Sequence, residues 1–131
     1  LTLFVDASAM VAIIAEEPER DRLVVEAVEG APALWSAMAA WETVAALSRS
    51  REMNITAAHQ EAALHADQLG LTLVPIGARE LELALDAYQQ FGKGRHPAGL
   101  NMGDCFAYAC AKSHDARLLY KGDDFSKTDL A

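Results

Sequence analysis

Short apolar runs alternate with longer stretches of helical periodicity along the chain. The run LTLFV (1–5) is unbroken until Asp6 and reads as a buried strand. ASAMVAIIAEE follows with helix-forming residues, and Pro18 then restarts the chain. PERDRLVVEAVEG has proline at a helix start, acids in the first turn and Gly30 at the end. PALWS (32–36) reads as a second short strand, and Ser36 is placed to cap the helix AMAAWETVAALSRSREM. Thr56 reads as the cap of a further helix, AAHQEAALHADQLG. LTLVPI (71–76) is a third strand, with Pro75 marking a sheet edge or a strand end. ARELELALDAYQQF is an amphipathic helix with Leu81, Leu85 and Tyr88 on one face. GKGRHPAG is a loop by its glycine and proline content. LNMGDCFAYACAKSH is a mostly apolar helix with Asp104 at its entrance, and ARLLYKG is the last strand.

No hairpin signal joins neighbouring strands, so the alternation predicts a parallel sheet with right-handed crossovers, an α/β fold. A length of 131 residues with no internal repeat, low-complexity run or linker predicts one domain over 1–131. A chain of this size buries roughly two-thirds of its unfolded surface, enough for its own core.

Composition narrows the class. Hydrophobic residues make up 52% and charged residues 23%, as in ordinary globular proteins. No apolar run approaches the ~20 residues of a membrane span. The start LTLFVDASAM has no basic segment, so no signal peptide is read. Cys105 and Cys110 are five apart in one helix, on nearly opposite faces, which predicts two buried free thiols and fits a cytoplasmic protein. The net charge of −8 argues against broad electrostatic attraction to nucleic acid, while suiting a cationic partner or a cluster of acids holding metal ions.

The positions of the acids then matter. In open α/β sheets, sites form beyond the carboxyl ends of strands. Asp6 directly follows the first strand, and Asp123 and Asp124 follow the last. Asp104 opens a helix leading back to that last strand. Glu42 lies early in the helix after the second strand and is the only charged residue between Ser36 and Ser48. Each has a structural explanation. Asp6 or Ser8 serves as a helix cap, Asp104 closes a capping box with Asn101, Glu42 faces solvent, and Asp123 with Asp124 makes a turn. Four acids at one predicted edge point instead to a shared site. Gathered carboxylates repel, and hard divalent cations with oxygen ligands resolve this. Two such ions activate water and stabilise the leaving oxygen of a phosphodiester. The histidines His59, His65, His96 and His114 form no convincing metal pattern.

FVDASAMVAIIAEEPE, WETVAAL, LNMGDCFAYACAK and LLYKGDDFSKTD together resemble the PIN-domain ribonucleases, and among them the VapC toxins of bacterial VapBC toxin–antitoxin systems. The resemblance spans nearly the whole chain in the same motif order. It implies a three-layer α/β/α fold with a central parallel sheet, and Mg²⁺- or Mn²⁺-dependent endoribonuclease activity. It implies that Asp6, Glu42 and Asp104 are the first three acids of the site and that Ser8 supports it. For the fourth acid both Asp123 and Asp124 are candidates, with Asp124, just before Phe125, favoured and Asp123 a second or outer ligand. Asp6 and Asp104 are the first choice for direct metal contact. The resemblance further implies a cognate VapB-like antitoxin and a homodimer.

An RNA substrate with an acidic protein requires local cations. Lys93, Arg95 and His96 in the GKGRHPAG loop, Lys121 beside the acids, and Arg49 with Arg51 are the candidates. Trp35 and Trp41 offer rings that could stack on bases, but both sit in apolar helix-entry sequence and are expected to pack in the core or an interface. Two rivals are an aspartyl-phosphate hydrolase using Asp6 and a non-catalytic PIN-type or receiver-like binding module. The first usually needs a second aspartate where Ser8 stands, and the second is at odds with a full set of acids.

Overall fold

The computed structural model describes residues 2–30 and 32–131; Leu1, which opens the first apolar run, lies outside them. The elements in chain order are β1 (Leu3–Val5), α1 (Ala7–Ile14), α2 (Arg20–Glu29), β2 (Ala33–Ser36), α3 (Ala37–Ser50), α4 (Ile55–Leu69), β3 (Leu71–Val74), α5 (Ala78–Phe91), α6 (Met102–Ser113) and β4 (Arg117–Leu119). The four strands are all parallel, in the order β3-β2-β1-β4. Helices cover the sheet in an α/β/α arrangement, as the sequence predicts. The chain moves from β1 to β2 to β3, then crosses back through α5 and α6 to β4 on the far side of β1. With right-handed crossovers this reversal puts α5 and α6 on the opposite face from α1 to α4. It also makes the carboxyl edge between β1 and β4 the topological switch point.

The central strand β1 is fully buried, and Phe4, Val5, Met10, Ile13, Leu23, Leu100 and Phe125 form much of the core around it. Pro75 follows the edge strand β3 directly, where no neighbouring strand needs its missing N–H. Among the described residues no helix is long and apolar enough to cross a membrane.

Local details differ from the sequence reading in three places. Helix α4 starts at Ile55 because Asn54, not Thr56, is its cap, with Asn54 Oδ1 accepting from the Ala57 N–H at 2.8 Å. Helix α3 stops at Ser50, and Glu52 takes a positive φ of 53°. On α5 Leu81, Leu85 and Tyr88 do share one face, along a single groove, but the buried residues are Ala84 and Ala87 and that face remains 44–58% exposed. The buried face of α5 is thus the alanine face, and Phe91 at its end packs against Tyr108 of α6 with ring centroids 5.8 Å apart.

Candidate active site

Three local devices bring the acids to the carboxyl edge. Asp6 ends β1 and caps α1, and its Oδ2 accepts from the Ser8 N–H at 3.0 Å and the Ser8 hydroxyl at 2.6 Å. Ser8 Oγ in turn accepts from the Lys121 N–H at 3.0 Å, tying the loop after β4 to the end of β1. Asp104 sits in the first turn of α6. There Asn101 Oδ1 accepts from the Asp104 N–H at 2.9 Å, and Asp104 Oδ2 accepts from the Asn101 N–H at 3.1 Å. Capping thus fixes the carboxylate without consuming it, and the apolar remainder of α6, from Cys105 to Ala111, anchors the helix in the core.

Glu42 reaches the same place from α3. Its carboxylate lies against the backbone of Gly103, where any Cβ would collide with it. Gly103 is therefore the residue that admits Glu42 to the site. Asp124 is set by its neighbour: Phe125 is buried and packs edge-on against Tyr120, with centroids 5.1 Å apart.

Asp6, Glu42, Asp104 and Asp124 line one cavity of about 380 Å³, shared with Ser8, Glu17, Trp41, Arg49 and Lys121. Burial pushes the Asp6 carboxyl above its ordinary value, against its hydrogen bonds from Ser8, and Asp124 adds to the rise. Burial and then the Asp6 charge lift Glu42 to about 7. Asp104 is also raised to about 7, first by burial and then by Asp124 and Asp6, with the Asn101 N–H opposing. The cavity thus holds carboxyls that disfavour one another's charge.

Several sequence-based candidates fall elsewhere. Asp123, the other candidate for the fourth acid, does not line the cavity; its carbonyl accepts from the Ser126 N–H at 3.1 Å and hydroxyl at 2.7 Å, closing a turn. Successive turn residues project to different sides, and buried Phe125 decides which aspartate faces inward. Lys93 and Arg95 do not line the cavity either: Lys93 borders an apolar groove between α5 and α6, and Arg95 lies over the Tyr88 ring at 5.1 Å. Lys121 does line it, with its ammonium 2.8 Å from Glu17 and 3.9 Å from Glu19. Trp35 is buried as expected, but Trp41 is 68% exposed at the cavity wall. Both cysteines are free and buried.

The residues fit a hard divalent cation by their chemistry. Carboxylates and the Ser8 hydroxyl line the cavity, and among the described residues no His or Cys does. Asp6 and Asp104 each use Oδ2 for local hydrogen bonds, which leaves Oδ1 for the cavity. Among the described residues no three His, Cys, Asp or Glu side chains already surround a common point as metal ligands.

A parallel sheet carrying carboxylates at its switch point is a frame shared with known proteins. The PIN domain family matches residues 3–130, and the chain belongs to that family. Among its relatives is a ribonuclease VapC of Mycolicibacterium smegmatis, 38% identical over 98% of both chains. A VapC ribonuclease of Rhizobium meliloti is 39% identical over 97% of this chain and 98% of its own. Of solved structures, Mycobacterium tuberculosis VapC20, a toxin that cleaves the sarcin–ricin loop, superposes with a TM-score of 0.76 at 17% identity, covering 98% of this chain and 96% of that one. VapBC2 of Rickettsia felis, solved bound to a DNA fragment from its promoter, gives a TM-score of 0.69 at 15% identity, covering 99% and 95%. These two share the fold.

Proposed function

We propose that the chain is the toxin of a type II VapBC-like system: an endoribonuclease that hydrolyses RNA phosphodiester bonds and is neutralised by a cognate VapB-like antitoxin. The observation that carries the reading is the meeting of Asp6, Glu42, Asp104 and Asp124 at one cavity, in a chain similar over its whole length to VapC ribonucleases. Asp6 and Asp104 hold a divalent cation, Mg²⁺ or alternatively Mn²⁺, with Asp124 completing the acidic wall. When bound, such an ion supplies charge stabilisation to the phosphoryl oxygens and acidifies water. Ser8 fixes the rotamer of Asp6 through two hydrogen bonds. Glu42 makes no side-chain hydrogen bond among the described residues, so its oxygens are free to orient the attacking water and take its proton. The antitoxin's part is to place a basic side chain among these acids. The chain acts as a homodimer, a reading supported by the exposed apolar side chains Leu81, Leu85, Tyr88 and Met102 on α5 and α6.

The test is cleavage of total RNA by the purified protein. Activity is expected to vanish in EDTA and return with Mg²⁺ or Mn²⁺. Asp6→Asn is expected to be inactive yet folded by circular dichroism. Full activity of that variant, or indifference to EDTA, would overturn the assignment.

A further inference from the structure

Trp41 is the most exposed large hydrophobic residue among those described, at 68%, although its helix α3 is otherwise built into the fold. It stands one residue before Glu42 and lines the acidic cavity. Arg49 lines the same wall from the last turn of α3. Between them lie Ala45 and Ala46, whose small side chains leave the floor of the trough open. Trp41, Ala45 and Arg49 follow one another at four-residue spacing, which forms a single stripe along the helix. Eight residues of helix rise about 12 Å, so indole and guanidinium are far enough apart to meet different nucleotides of one strand.

Net charge alone would exclude a polyanion from the metal-free trough, so the α3 wall has to supply the attraction. Five carboxylates line the cavity, counting Glu17, against Lys121 and Arg49. Lys121 is paired with Glu17, whereas Arg49 makes no ion pair among the described residues. An unpaired guanidinium beside a bare indole, opening directly onto the acids, matches a nucleic-acid strand that must continue past its scissile phosphate. We propose that this trough is a subsite for single-stranded RNA, with a base stacked on Trp41 and a backbone phosphate held by Arg49. The inference rests on the ribonuclease reading and assigns two residues of α3 to substrate binding. Every base has a π-face, so stacking is tolerant of sequence but requires an unpaired nucleotide. The subsite therefore selects loops and single strands rather than a base identity.

Because Trp35 is buried, fluorescence quenching reports on Trp41. In EDTA, titration with an unpaired oligo(A) is expected to quench tryptophan emission, and the same strand in a duplex is not. Trp41→Ala is expected to raise KM for a single-stranded substrate roughly ten-fold or more with little change in kcat, and Trp41→Phe to restore most of it. Arg49→Ala is expected to raise KM and lower the salt slope by about one. Unchanged KM in Trp41→Ala, with the wild type active, overturns the subsite. So does a Trp41→Ala protein that binds RNA normally but has lost its antitoxin, which would give the trough to that partner. If the wild type cleaves no RNA, the ribonuclease reading fails instead, and the quenching titration still decides the trough.

Discussion

Replacing Asp104 by asparagine should stabilise the metal-free protein while destroying its site. Asp104 is held near 7 by burial and by the neighbouring Asp124 and Asp6 charges. In the unfolded chain the same carboxyl titrates near about 3.9. Above both values, that difference costs the native state up to about 4 kcal/mol. The cleft is open on one side and the charge is shared among interacting groups, so about 1–2 kcal/mol is the realistic yield. Asparagine removes the charge and keeps an amide oxygen to accept from the Asn101 N–H, so the helix cap survives. At about 2.1 cal/mol/K of unfolding entropy per residue, the gain is roughly 4–7 °C in Tm for a chain of this length. Between about pH 4 and 7 the folded protein retains a proton that the unfolded chain releases. The penalty therefore grows as pH rises through that window and is absent below it. Thermal unfolding in EDTA should show the variant clearly more stable at pH 8, with a smaller advantage at pH 5. Added Mg²⁺ should reverse the order by stabilising only the wild type. A variant no more stable than wild type at pH 8 in EDTA would refute a buried, mutually opposed carboxylate cluster.

Gly103→Ala should separate stability from activity. The new methyl displaces the flexible end of Glu42 and leaves the helix in place, so Tm is expected to hold or rise by the helix gain of alanine over glycine, while cleavage falls at least about ten-fold. Phe125→Ala removes the buried anchor of the loop carrying Asp124 and should cost roughly 3–5 kcal/mol in denaturant unfolding. Asp124→Asn should greatly reduce cleavage of a fluorogenic RNA, whereas Asp123→Asn should leave it within about two-fold; the opposite pattern would reassign the fourth acid.

The alternation of apolar runs and helical stretches already contained the parallel sheet, because each short strand must bury itself and each crossover must return on one hand. Asp6 and Asp104 were legible for a related reason. One ends a strand and the other opens a helix, and both positions are marked locally by caps that the chain writes next to itself. Tertiary packing decided what no local signal carried. A shift of one residue on a helix turns a side chain by about 100°, so only the seating of α3 against α6 showed that Trp41 faces the cleft and that Gly103 makes room for Glu42. With Phe125 buried, Asp124 and not Asp123 lines the cavity, and Leu81 and Leu85 stand exposed on α5. Lys93 and Arg95 suit RNA by charge, but the fold places neither in the lining of the acidic cavity, since charge has no address until the chain folds.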